Sequence, residues 1–166
     1  MATHHMVYLS VGSNIGAKLE NCRRGIAALA ATTGVRITGT SPFYKTEPVD
    51  FHAQDWFVNG IVRIDSALDP FELLERLQTV QREAGRPAGG VRFGPRVLDL
   101  DLLMYDQLVL EDPRLCLPHP RMHRRRFVLQ PLCDIAPTLV HPLLGKDIRT
   151  LLSELGEHGQ QVVALR

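Results

Sequence analysis

The stretch Arg92-Phe93-Gly94-Pro95-Arg96-Val97-Leu98-Asp99-Leu100-Asp101-Leu102-Leu103 constrains this chain more than any other. Its second half alternates, with Leu98, Leu100 and Leu102 set against Asp99 and Asp101. A period of two marks a strand with one buried face, so the leucines enter a core while both carboxylates share the opposite face. Two acids held that close repel each other unless a cation sits between them. A Gly/Pro loop bearing Arg92 and Arg96 leads straight into the pair. Carboxylates for a hard divalent cation beside arginines for phosphate form a set that phosphoryl transfer uses. A half-exposed strand whose aspartates are merely solvated accounts for the same residues, and on this stretch alone the two readings stand level.

A chain of 166 residues fits one domain and can bury enough apolar surface to fold without staples. Its 19 Lys+Arg nearly balance its 18 Asp+Glu, so no overall field argues for nucleic acid or a membrane surface. Locally the balance breaks: Arg121, Arg124, Arg125 and Arg126 cluster, and Arg82, Arg86, Arg92 and Arg96 line the central loop. Lys18, Lys45 and Lys146 are the only lysines, and this bias to arginine suits forked phosphate recognition. Cys22, Cys116 and Cys133 are odd in number, far apart and in apolar surroundings, which reads as reduced thiols of a cytoplasmic protein with no metal spacing. No apolar run approaches membrane-spanning length and no leader pattern opens the chain. Residues 1–5 are expected to be disordered or a tag remnant.

In order, Met6 to Val11 reads as a buried strand and Gly12-Ser13-Asn14-Ile15-Gly16 as a tight turn, with Ser13 or Asn14 capping a helix from about Ala17 to Thr32. That turn lacks the Lys-Ser/Thr of a P-loop. Val35 to Ser41 is a second expected strand, Pro42 to Trp56 a long loop, and Phe57 to Ile64 a third strand with Asn59 inside it. Asp69-Pro70 predicts a helix start, with Phe71, Leu74, Leu77 and Val80 facing inward and an end near Gly85. The eleven residues Arg86 to Arg96 hold three glycines and two prolines, which suits a hinged lid. The acidic strand runs to about Tyr105, and Asp106-Gln107 is expected to turn it into a hairpin arm at Leu108 to Leu110. A helix is expected from Arg121 to Leu132. His119 and His123 have metal-like spacing, but Pro120 puts His119 ahead of the helix, where it is better suited to bonding an anion than to zinc. Asp147 predicts the cap of a last helix through Leu155, and Gln161 to Leu165 an edge strand.

Beside Arg92 to Leu103 stand Val11-Gly12-Ser13-Asn14, Ser41-Pro42-Phe43-Tyr44-Lys45-Thr46-Glu47-Pro48, Phe57-Val58-Asn59, Leu117-Pro118-His119-Pro120-Arg121-Met122 and Pro131-Leu132. Together, in this order and over nearly the whole chain, they resemble the motifs of the 6-hydroxymethyl-7,8-dihydropterin pyrophosphokinase family. The resemblance implies a single ferredoxin-like α+β domain, an antiparallel sheet flanked by helices. It implies transfer of a diphosphate from ATP to the pterin's hydroxymethyl group in folate biosynthesis, releasing AMP, with two Mg²⁺ ions. By the same likeness, Asp99 and Asp101 match the metal ligands, and with Arg86 and Arg96 they form the catalytic set. Gln78, Arg86, Arg96, Arg114, His119 and Arg125 match ATP-site positions. Thr46, Val49, Phe57, Asn59, Phe93 and Phe127 match the pterin pocket, where Phe57 and Phe127 would sandwich the ring. ATP and the pterin are the implied partners of a cytoplasmic monomer, with no nucleic acid and no membrane.

The chemistry asks independently for such a set. Charge crowded at the β-phosphorus must be neutralised by metals and arginines before an alcohol approaches, and metal coordination makes a dedicated general base unnecessary. A flat neutral ring is held by stacking, with an amide reading its edge. The chain departs from the family at Gln81, where an acid is frequent, at Ala88 and Gly89, where basic residues are frequent, at Phe93, where tryptophan is frequent, and at Pro120. Three rivals are weaker. An RNA-binding module lacks paired aromatics on adjacent strands. A phosphohydrolase would need more ligands than this strand offers. A catalytically dead relative would have lost an acid or Arg96.

Overall fold

The computed structural model describes residues 3–48, 53–85, 96–157 and 159–165. Strands β1 (His5–Ser13), β2 (Val35–Thr40), β4 (Phe57–Ser66) and β5 (Asp99–Tyr105) alternate with helices α1 (Lys18–Ala30) and α2 (Pro70–Glu83) as βαββαβ, with the short β3 (Tyr44–Thr46) between β2 and β4. The sheet order β5-β1-β4, with β2 on the far side of β4, is fully antiparallel and gives the expected ferredoxin-like core. Two short strands, β6 (Leu110–Asp112) and β7 (Leu115–Leu117), form a separate ribbon. After them come α3 (Arg126–Ile135), α4 (Ile148–Glu154) and β8 (Val162–Ala164), and β8 adds to the sheet beside β3.

Each face of the sheet has its own core. Val7, Leu9, Val11, Val62, Leu100 and Leu102 meet Cys22 and Leu29 of α1 and Leu73 and Leu77 of α2. On the opposite face Tyr8, Ile61 and Met104 meet Val128, Leu129 and Leu132 of α3 and Ile148 and Leu151 of α4. Leu98, just ahead of β5, is fully buried, and Gly25 of α1 admits it: a Cβ there would lie 2.7 Å from its side chain.

Local chemistry explains most ends. Asp69 caps α2 through Glu72 N–H at 2.8 Å, Glu72 returns the bond to Asp69 N–H, and Gly85 follows at φ 103°. Asp147 accepts from Thr150 N–H and caps α4 as expected.

Several expectations are corrected. The N-cap of α1 is Ala17, with no side-chain cap, because Ser13 still lies in β1 and Asn14 is engaged elsewhere. The loop predicted over 42–56 contains β3, which pairs with the first residues of β4, Phe57 to Asn59, beyond the stretch of β4 that pairs with β2. The inward stripe of α2 is Leu73, Leu77, Val80 and Gln81; Phe71 and Leu74 are only half-buried, and the Arg114 guanidinium lies 4.1 Å over the Phe71 ring. The hairpin reverses at Pro113-Arg114 between β6 and β7, not at Asp106-Gln107, and residues 108–109 are not strand. The expected Arg121–Leu132 helix is a 3-10 turn at Met122–Arg124 followed by α3. Cys116 is exposed rather than apolar in setting, whereas Cys22 is buried, which pushes its thiol up to about 12. Residues 3–5 are ordered: His4 bonds Asp65 at 3.0 Å, and His5 opens β1 and bonds Asp106 at 2.7 Å.

Asp69→Ala removes the side-chain half of the α2 capping box, the bond from Glu72 N–H, and leaves the Asp69 N–H that Glu72 accepts. It should cost about 1 kcal/mol in urea unfolding with an unchanged m-value.

Candidate functional site

Antiparallel pairing places directly opposed residues on one face. Asp99 opposes Gly12, Gly12 opposes Asn59 and Asn59 opposes Tyr44, so one row crosses four strands. Asp101 opposes Ser10, and Ser10 opposes Ile61, in the next row. Phe57 opposes Thr46 and shares the Asn59 face by its spacing of two. Asp99, Asp101, Asn59, Thr46 and Phe57 therefore lie on the α3 side of the sheet, where Phe127 packs against the core. Both aspartates are half-buried while Leu98, Leu100 and Leu102 are buried, as the alternation requires.

The middle of the row depends on a missing side chain. A Cβ on Gly12 would lie 2.3 Å from Asn59 Oδ1, so only glycine leaves room for that amide. Asn59 Nδ2 then donates to Thr46 Oγ1 at 2.6 Å, and both residues are buried. Gly12 was not singled out from the sequence, although a lone glycine inside an apolar strand is the signal for such a close approach.

Arg96 is held at the foot of the acidic strand by Asn14, which is 2 % exposed. Asn14 N–H donates to Arg96 O at 3.0 Å, and Arg96 N–H donates to Asn14 Oδ1 at 2.7 Å. Asn14 Nδ2 donates to Gln54 Oε1 at 2.6 Å and to Asp55 O at 3.2 Å. Three bonds of this buried amide tie the end of β1 to two other segments. Gln81, noted as a departure, is also buried: Nε2 donates to Leu77 O, and Oε1 accepts Leu100 N–H at 3.2 Å, between the two aspartates.

A basic group borders β5. His119 N–H donates to Leu103 O at 2.8 Å, which docks the His119 segment two residues beyond Asp101. His119 Nδ1 accepts Arg121 N–H at 3.1 Å, so the ring hydrogen sits on Nε2. Burial, reinforced by the Arg125 and Arg121 charges, holds this imidazole down at about 4. It is a neutral donor at neutral pH. The Arg125 guanidinium lies 5.4 Å from the Phe127 ring centroid, so the phosphate-matching and ring-matching positions adjoin at the start of α3. Arg114 is exposed, bonded to Asp112 at 3.2 Å and stacked on Phe71, which shares a stripe of α2 with exposed Gln78 seven residues on. Arg86, Phe93, Val49, Ala88 and Gly89 lie outside the described residues. Among the described residues no three His, Cys, Asp or Glu side chains gather as a metal site.

Residues 8–137 match the family described as 7,8-dihydro-6-hydroxymethylpterin-pyrophosphokinase. A protein of Methylorubrum extorquens named 2-amino-4-hydroxy-6-hydroxymethyldihydropteridine pyrophosphokinase is 42% identical over 152 residues, 92% of this chain and 94% of that protein. The folic acid synthesis protein fol1 of Schizosaccharomyces pombe is 37% identical over 154 residues, but this chain spans only 21% of its length. The crystal structure of wild-type Plasmodium falciparum HPPK-DHPS with pterin and p-hydroxybenzoate superposes with a TM-score of 0.72 over 93% of this chain and 43% of that one; at 16% identity it shares the fold.

Gly12→Ala pushes a methyl group into Asn59 and should destabilise the protein by about 1–3 kcal/mol in urea unfolding. For acidity the sign follows from His119. Its folded value of about 4 lies below the ordinary 6.5, so between these the unfolded chain binds a proton that the folded protein does not. Stability of the ligand-free protein should therefore fall as pH drops from about 6.5 towards about 4, and His119→Asn should flatten that slope in chemical unfolding across the same range.

Proposed function

The chain belongs to the 7,8-dihydro-6-hydroxymethylpterin-pyrophosphokinase family, and on that premise we propose that it transfers a diphosphate from ATP to 6-hydroxymethyl-7,8-dihydropterin, giving the pterin diphosphate and AMP in folate biosynthesis. The observation that carries this reading is the row itself: Asp99 and Asp101 share the sheet face with Asn59, Thr46 and Phe57, so a diphosphate held at β5 and a ring held at β4 meet across β1.

Asp99 and Asp101 would hold two Mg²⁺ ions. Two half-buried carboxylates with no third acidic, His or Cys ligand among the described residues suit an ion that keeps waters and takes substrate phosphates as its remaining ligands. Bound with ATP, the metal supplies positive charge at the phosphates and lowers the pKa of a coordinated alcohol.

The rest falls to the side chains. Arg96, with Arg86 and Arg125, supplies forked donors for the phosphate oxygens. His119 donates from Nε2–H as a neutral group, so it does not lose that bond by titrating near pH 7. Arg114, stacked on Phe71, and Gln78, on the same stripe of α2 as Phe71, would contribute to the nucleotide site. Phe57 and Phe127 stack on the pterin, with Val49 and Phe93 completing the pocket. Asn59, oriented by Thr46 and given room by Gly12, reads the ring edge with the polar positions that Thr46 leaves open. ATP and the pterin are the partners. No helix among the described residues is long and apolar enough to cross a membrane.

Incubation with MgATP and the hydroxymethyl-dihydropterin should give AMP in equal amount to pterin diphosphate. Formation of ADP, or turnover without the pterin, overturns the assignment. Asp99→Ala should lower kcat by at least about 10²-fold while leaving Tm within a few degrees, since it removes one of two repelling charges.

A further inference from the structure

Helix α3 carries Phe127 one residue past its start, and its own N-cap supplies nothing: Arg125 makes no side-chain cap bond. The N–H of Phe127 is one of the four that a helix leaves without an internal partner. It donates instead to Oε1 of Gln160, 33 residues later, at 3.2 Å. The nitrogen of the same amide donates to the carbonyl of Glu47, the residue after Thr46 at the end of β3. Around it the main chain is closed independently: Glu47 N–H donates to Gln161 O at 2.9 Å, Gln161 N–H donates to Glu47 Oε2 at 3.0 Å, and Thr46 pairs with Val162. Arg126 adds a guanidinium bond to Gly156 O.

One half-buried side chain thus spans from the helix turn bearing Phe127 to the strand end bearing Thr46. We propose that Gln160 is a positioning residue for the pterin: its amide fixes the separation between the stacking ring on α3 and the Thr46–Asn59 pair, and so sets the width of the slot for the flat ring. The proposal rests on the pterin reading of this pocket. It requires an amide, because one group must accept at Phe127 and donate at Glu47 together. The strand β8 does not depend on it, since β3 and β8 pair through their main chains. Loss of the side chain therefore leaves the sheet intact.

Two substitutions separate positioning from mere capping. Gln160→Glu keeps an acceptor at the N-terminus of α3, where negative charge is favoured, but cannot donate to Glu47 O. Gln160→Leu loses both bonds. Tm, the Kd of a non-hydrolysable ATP analogue with Mg²⁺, and the Kd of hydroxymethyl-dihydropterin in the presence of that analogue are measured for each. The expected result is a pterin Kd raised about five- to thirtyfold in both variants, with nucleotide Kd within about twofold of wild type and Tm within a few degrees of it. If Gln160→Glu binds the pterin as wild type does, the residue is only a cap and the proposal fails. If nucleotide affinity falls in parallel, the effect is general and the proposal fails too. If the wild-type protein binds nucleotide but no pterin, it is the assignment of the substrate that falls.

Discussion

A slip of one residue between β1 and β5 would turn Asp99 and Asp101 into the core and expose Leu98, Leu100 and Leu102. Everything at the site depends on that register being unique. It is secured where the strands begin their pairing: Asn14 extends the β1–β5 ladder by exchanging two bonds with Arg96, one through its main chain and one through its side chain. The fully buried Leu98, accommodated by Gly25, provides an apolar lock on the same end. Burying an amide costs energy unless it is hydrogen-bonded, and at Asn14 both the nitrogen and the oxygen have partners. The buried leucines give the acidic strand its depth, and Asn14 gives it its phase.

The site follows from an arrangement in which neighbouring strands contribute different chemistry to one row. β5 brings charge, β1 brings space through Gly12 and β4 brings an amide. Charge at one end and aromatic carbon at the other are kept apart by β1, which carries no ionisable side chain in these rows. The proposed substrates differ in the same sense, one a polyanion and the other a neutral ring. The neutral state of His119 fits this division, because burial beside two arginines leaves a donor there without adding a third cation.

The acidic strand, the capping box of α2 and the cap of α4 were legible because each is local: alternation or a motif within four residues determines it. β3 was not, since a strand of three residues has too short a pattern to register and exists through pairing with β4 and β8. Asn14 read as a helix cap because its real partners, Gln54, Asp55 and Arg96, lie 40 to 82 residues away. The α2 stripe was right at Leu77 and Val80 but not in the first turns, because Phe71 and Leu74 also fit helical spacing, and it is Arg114 that covers Phe71. The ribbon of β6 and β7 was misplaced because Asp106-Gln107 and Pro113-Arg114 both carry turn chemistry. The acidic pair was therefore visible in the sequence, while the residues that support it were visible only in three dimensions.

Gln81 bears on a property unrelated to catalysis. β5 is an edge of the sheet, and the outward main-chain groups of an edge strand are a template on which a second copy of the chain can pair. By taking Leu100 N–H, Gln81 of α2 removes one of the donors that such pairing would use. The two carboxylates flanking Leu100 add like-charge repulsion against an identical strand laid alongside. The acidic strand of the sheet is thus also one of its edges, and the carboxylates proposed for the one role guard it in the other.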